Sequence, residues 1–267
     1  MSNTIKIETD RRGVCTITLA RPEVHNAFDS VLIAQLTGAL DHLGQDERVR
    51  VVVLTGEGKS FSAGADLNWM RSMADATQEE NLADSLALAA LMRALCFLRQ
   101  PSIARINGAA FGGGVGLIAC CDNAIATETA LFGLTEVRLG LVPAVISPYV
   151  VEAIGVRQAR RLFVSAERFD AATAQRLGLV NTLCPAADLD LRVEQEIDLI
   201  LKAGPAAAAA AKALAIGVGG RSRDAQEKMD QHTATLISNL RVSDEGQEGL
   251  CAFLEKRDPS WVAGIDD

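Results

Sequence analysis

The 267-residue chain is poor in aromatic side chains, with eight Phe, two Trp and one Tyr making 4% of the total, so its core has to be built from aliphatic residues and alanine. It also lacks an excess of positive charge. Twenty-six Lys and Arg stand against 34 Asp and Glu, a formal net charge of −8, which argues against a nucleic-acid partner. No run of about 20 apolar residues is present to cross a bilayer, and residues 1–12 are too polar for a secretory start. The expectation is a soluble, cytoplasmic protein with no membrane partner. The three His and six Cys form neither H-E-x-x-H nor C-x-x-C, so no metal is expected, and the cysteines read as small buried hydrophobes in a reducing compartment. Both glycine-rich phosphate fingerprints, G-x-G-x-x-G and G-x-x-x-x-G-K-[ST], are missing, as are a nucleophilic serine elbow and a Cys/His pair.

What is present is an alternation of short apolar runs and helical periodicity. Residues 5–8 and 14–19 read as an opening pair of strands around Gly13. Leu32, Leu36, Ala39, Leu40 and Leu43 recur at spacings of three and four, which predicts a helix over 29–43. The continuous apolar run at 51–55 predicts a strand covered on both faces. The scheme then repeats: a polar, mobile link at 74–80, a helix over 80–98, a strand at 103–106, a helix over 114–121 and a strand at 123–127. Beyond Pro143 the pattern is helical, at 147–154, 155–164, 170–177, 189–203, 205–218 and 224–257, with Gly246 marking a break or a helix start. These spacings predict an α/β core over 1–200 and a helical C-terminal region over 201–267 that covers the site or makes an oligomer contact.

Two small-residue turns stand out, Phe61-Ser62-Ala63-Gly64-Ala65-Asp66 and Asn107-Gly108-Ala109-Ala110-Phe111-Gly112-Gly113-Gly114. Each follows an apolar strand and leads into a helix, so a ligand could reach backbone N–H groups there. The Ala63 N–H and the Gly113 N–H are the candidate donors to one developing oxyanion, with Glu136 as the nearby carboxyl. Gly64 permits a strained backbone, and Asp66 is placed to cap the following helix. This combination points to chemistry on a carbonyl or thioester.

Taken together with Arg21-Pro22-Glu23-Val24-His25-Asn26-Ala27, Phe132-Gly133-Leu134-Thr135-Glu136 and the ending Phe253-Leu254-Glu255-Lys256-Arg257, these segments resemble the enoyl-CoA hydratase and isomerase family, also called the crotonase family. The resemblance implies a spiral of repeated β-β-α units with a helical C-terminal region, assembled as a homotrimer or a hexamer built as a dimer of trimers. It implies an acyl-CoA substrate, with coenzyme A as the thioester carrier and no redox or metal cofactor. The N–H groups of Ala63 and Gly113 would hold the thioester oxygen. Arg21 would be the nearest cation to the CoA nucleotide, with Ala63, Gly64, Ala65, Asp66 and Gly113 completing the CoA-binding segment.

One departure bears on mechanism. The hydratases commonly use two glutamates; Glu136 matches the second, whereas Gly116 stands at the first. The finer pattern around Cys120-Cys121-Asp122 and Thr135 to Tyr149 resembles bacterial hydratases acting on 3-methylglutaconyl-CoA or a longer branched relative. Such a substrate carries a free carboxylate, for which Arg138 is a candidate partner. Pro143-Ala144-Val145-Ile146 is expected to wall the acyl pocket, and Trp69, Met70 and Met73 to form a flexible lid, while Leu91 and Met92 are read first as core. Hydration of a branched or carboxylated 2-enoyl-CoA is the leading expectation. The alternatives are double-bond isomerisation or other enolate chemistry, and a noncatalytic acyl-CoA-binding protein.

Overall fold

The computed structural model describes residues 3–262. Its large sheet begins with the hairpin β1 (Ile5–Thr9) and β2 (Val14–Leu19), which turns at Gly13. Helix α1 (Ser30–Gln45) follows, its first turn capped by the Asp29 carboxylate accepting from the Leu32 N–H. From there the next three strands of the large sheet are each followed by a short strand of a second sheet. The first such pair is β3 (Val51–Gly56) and β4 (Ser60–Ser62), followed by helices α2 (Leu67–Ala74) and α3 (Gln78–Cys96). The second is β5 (Ser102–Ile106) and β6 (Ala109–Phe111), followed by α4 (Gly113–Cys120). The third is β7 (Asn123–Thr127) and β8 (Leu131–Gly133), followed by the long α5 (Ser147–Ser165). A last, reversed unit runs β9 (Arg168–Asp170), α6 (Ala171–Leu177) and β10 (Thr182–Cys184).

The large sheet has the order β1-β2-β3-β5-β7-β10 and the small one β4-β6-β8-β9. Apart from the β1–β2 and β8–β9 pairs, every pairing is parallel. This is the expected coil of β-β-α repeats. Strand β3 shows why its sequence is continuously apolar. Val52 and Leu54 pack into the main core, while Val51 and Val53 face a second cluster made with Val193 and Ile197 of α7 (Leu189–Leu201).

Several expectations need correction. The polar link at 74–80 runs into helix earlier than read, because Thr77 and Glu80 form a reciprocal capping box and α3 starts at Gln78. Strands β9 and β10 fall in the part read as helical; each is only three residues long, below what periodicity can register. Gly155 does divide α5, with φ 76° and ψ 153° inside the helix. The break in the final helical segment falls at Val242 and Ser243 rather than at Gly246, giving α9 (Arg223–Arg241) and α10 (Asp244–Glu255). Cys15, Cys96, Cys120 and Cys184 are buried as expected, whereas Cys251 is exposed.

The C-terminal helices reach back to the core. Helix α8 (Pro205–Val218) buries none of its own residues, although Lys212 ties it to Asp122. Helix α9 lies along α3 and is joined to it by the Arg93–Asp230 and Arg241–Asp84 ion pairs. Helix α10 sets Leu250 against Met70 and Leu141. The close approach depends on Gly249, where an added Cβ would lie 2.3 Å from the Leu139 carbonyl carbon. Backbone cannot move aside as a flexible side chain can. Gly249→Ala is therefore expected to cost about 1–3 kcal/mol in urea unfolding and to loosen α10 toward proteolysis. A variant as stable as the parent would contradict this packing.

Candidate active site

The segment 62–66 leaves β4 and crosses the chain at 25–28, and its backbone donors can be accounted for one by one. The Ala63 N–H donates to the His25 carbonyl at 2.9 Å, the Gly64 N–H to Ser62 Oγ at 3.3 Å, and the Asp66 N–H to the Phe28 carbonyl at 2.8 Å. Among the described residues the Ala65 N–H has no acceptor. This corrects the expected donor. The Ala63 N–H is committed within the protein, and the N–H two residues later is the one left for a ligand. Gly64 makes the arrangement possible, because its φ is +84° and a Cβ would lie 2.9 Å from the Phe111 carbonyl oxygen.

The second turn supplies a partner. Gly112, with φ +49°, gives its N–H to the Gly133 carbonyl at 3.0 Å, and α4 begins at the next residue with no side-chain cap. The Gly113 N–H therefore belongs to the open first turn of a helix, where the backbone dipoles also favour negative charge. Ala65 and Gly113 line one cavity of about 420 Å³, within the usual range for a small-molecule site.

Glu136 lies on the same cavity, at the start of a single 3-10 turn, Glu136–Leu139, closed by left-handed Gly140. An ideal Cβ on Gly112 would sit 3.1 Å from Glu136 Oε1, so the absent side chain leaves room for the carboxyl. Glu136 Oε2 is buried and, among the described residues, has no hydrogen-bond partner. Burial without a counter-charge pushes the carboxyl up to about 7, which suits a group that exchanges protons near neutrality.

The expected wall and lid residues are found here too. Ala144, Val145 and Ile146 line the cavity with Trp69, Met70 and Met73, while Leu91 and Met92 are fully buried core residues. Arg138 is on the lining and exposed. Arg21 and Asp66 are not on it. Arg21 pairs with Asp29 at 3.1 Å and Asp66 at 3.0 Å and donates to the Ala27 carbonyl, while Asp66 caps α2 through the Asn68 and Trp69 N–H groups. Both are thus engaged within the fold, with two carboxylates neutralising the guanidinium. Asp122 is also occupied, accepting from the Ser102 N–H and hydroxyl and from Lys212.

At Gly116 the structure gives the departure a physical form. A Cβ there would lie 2.3 Å from Ile146 Cγ2 and 3.3 Å from Met92 Cε. Ile146 fills the space into which a side chain at 116 would project. No second carboxyl can be placed there without moving that isoleucine.

Two open amide donors beside a buried carboxyl are suited to stabilising an oxyanion next to a carbon that gains or loses a proton. Residues 9–264 match the family described as Enoyl-CoA hydratase/isomerase, and the chain belongs to it. It is 32% identical over 258 residues to 2,3-dehydroadipyl-CoA hydratase of Escherichia coli, covering 96% of this chain and 97% of that protein. Among solved structures, an enoyl-CoA hydratase from Shewanella pealeana is 45% identical, with a TM-score of 0.79 over 97% of this chain and 96% of that one. An enoyl-CoA hydratase from Mycobacterium avium is 35% identical, with a TM-score of 0.85 over 98% and 100%. The protein is an enzyme of the enoyl-CoA hydratase type, acting on CoA thioesters. No group of residues suited to a metal ion occurs among the described residues, and no single helix there is long and apolar enough to cross a membrane.

Two stability measurements test this geometry. A glutamate that ionises near 4.5 in the unfolded chain and near 7 in the fold favours folding below 4.5, and that contribution is lost as pH rises through 7. Glu136→Gln is expected to be more stable than the parent at about pH 8.5, on the order of 3 kcal/mol, with the gain gone at about pH 4. A gain independent of pH would contradict the burial argument. Gly116→Ala is expected to cost about 1–3 kcal/mol, and less when combined with Ile146→Ala; additive effects would mean the two positions do not compete for space.

Proposed function

We propose that the enzyme adds water to a branched or carboxylated 2-enoyl-CoA, such as 3-methylglutaconyl-CoA, with Glu136 as its single acid/base. The observation that carries this reading is the pair of uncommitted amide donors, Ala65 and Gly113, sharing one cavity with the buried Glu136 carboxyl. The thioester oxygen accepts from both N–H groups. Glu136 takes a proton from water as the water oxygen bonds to C3, and the π electrons move onto the thioester oxygen as an enolate. The enolate then collapses and C2 takes the proton back from Glu136. One carboxyl suffices because it is first base and then acid, and a group ionising near neutrality serves both steps.

Support for a carboxylated acyl group comes from the Escherichia coli relative, whose name specifies a dicarboxylic acyl-CoA. Double-bond isomerisation is the second reading. It is favoured by Ile146 and Met92 occupying the space beside Gly116, since moving a proton between two carbons of an enolate needs one carboxyl and no water. A trimer or a dimer of trimers is our proposal for the assembly. Helix α8 leaves Leu214 66% and Val218 81% exposed, apolar surface that association would cover.

The test is the initial rate of 3-methylglutaconyl-CoA hydration, beside crotonyl-CoA, with products identified by mass. The parent is expected to hydrate the carboxylated substrate, and Glu136→Gln to retain CoA-ligand binding while turnover drops by ~100-fold or more. The hydration kcat/KM of the parent is expected to rise with pH through about 7 as the carboxyl ionises, a limb absent from the variant. Activity within twofold of the parent would remove Glu136 from the mechanism. Isomerised product without hydration would put the second reading first.

A further inference from the structure

Arg138, Arg168, Arg241 and Arg257 all line the cavity, and they differ in what they are free to do. Arg257 is committed through Nε and both terminal nitrogens to Glu255, Glu248 and the Asp258 carbonyl. Arg138 and Arg168 are exposed to solvent, the latter with its guanidinium 5.4 Å from the centre of the Phe111 ring. Water screens such cations and weakens what they can offer a ligand.

Arg241 is different. It is only 8% exposed, at the last residue of α9, against the side of α3. Its Nη1 alone makes the contacts to α3, at 3.1 Å to Ser85 Oγ, 3.3 Å to Asp84 Oδ2 and 3.5 Å to the carbonyl and Oδ1 of Asn81. Among the described residues, Nε and Nη2 have no hydrogen-bond partner. These two nitrogens form the side-on edge of the guanidinium, which matches the two oxygens of a carboxylate. The counter-charge is shared, since Asp84 also accepts from the indole N–H of the cavity residue Trp69 at 3.0 Å.

The location suits the far end of an acyl chain. Leu88, one turn beyond Asp84 on α3, and Ile237, one turn before Arg241 on α9, line the cavity with it. That wall is helical and apolar apart from the arginine. The thioester-binding N–H groups and Glu136 come instead from the strand ends and turns. An acyl group anchored at Ala65 and Gly113 and extending to the α3–α9 wall presents its terminal atoms to Arg241.

We propose that Arg241 is the specificity-determining residue that receives the terminal carboxylate of a dicarboxylic acyl-CoA on its Nε–Nη2 edge. This rests on the reading of the cavity as the acyl-CoA site and is independent of whether the chemistry is hydration or isomerisation. Its test is therefore equilibrium binding of two saturated, unreactive thioesters of equal length, glutaryl-CoA and valeryl-CoA, by titration calorimetry. The parent is expected to prefer glutaryl-CoA by about 30-fold or more, the scale for a desolvated charge pair. In Arg241→Gln the preference is expected to shrink below about threefold, with valeryl-CoA affinity unchanged. Arg241→Lys keeps a positive charge beside Asp84 but loses the two-nitrogen edge, and is expected to lose at least about fivefold of the preference. Equal weakening of both ligands in the variants would show a merely structural arginine. No preference in the parent, or an undiminished one in Arg241→Lys, would equally overturn the proposal. A retained glutaryl preference without any hydration would discard the hydratase reading and leave the arginine assignment standing; failure of the parent to bind either thioester would remove both.

Discussion

The short parallel bridge between Phe28 and Ala65 is the contact on which the site depends. Through it the Phe28 N–H donates to the Gly64 carbonyl at 2.6 Å, and the Asp66 N–H returns a bond to the Phe28 carbonyl. With the His25 carbonyl holding the Ala63 N–H, the segment is fixed on both sides of Ala65 and one donor is left over. Arg21 reinforces the same crossing from below, joining Asp29 at the start of α1 to Asp66 at the start of α2. The guanidinium holds the two helix starts together, and a preorganised donor needs such rigidity because reorganising it during reaction would cost rate.

Glu136 represents the opposite bargain. Folding buries its Oε2 with no hydrogen-bond partner among the described residues. The same desolvation that moves its ionisation to about 7 is what the proposed acid/base role of Glu136 draws on. Glycines at 112 and 116 act on the two sides of this chemistry differently. Gly112 opens room for the carboxyl, whereas Gly116 gives up its room to Ile146, so the described cavity lining holds the Glu136 carboxyl and gains an apolar wall.

Much of this was legible in the sequence, for reasons specific to each element. The long strands and helices announce themselves by period, and β3 does so through a run buried on both faces. Glu136 and Gly113 could be picked out because each is tied to a recognisable turn. The sequence pointed to Ala63 rather than Ala65; both are alanines flanking Gly64, and only the crossing chain at 25–28 decides which N–H is consumed. Strands β6, β8, β9 and β10 are three residues each and carry too little pattern to register. Arg241 escaped notice for a related reason: it sits in an ordinary amphipathic helix, and its meaning comes from α3, more than 150 positions away in sequence.

The central claim is that the Ala65 and Gly113 N–H groups together hold the thioester oxygen beside Glu136. The most direct measurement is a crystal structure of the enzyme with a bound, slowly reacting acyl-CoA. The account predicts the thioester oxygen within hydrogen-bond distance of both nitrogens, with the acyl C2 and C3 next to the Glu136 carboxyl and the Ala63 N–H still on the His25 carbonyl. A thioester oxygen bound elsewhere, or held by Ala63 after that internal bond has broken, would contradict it.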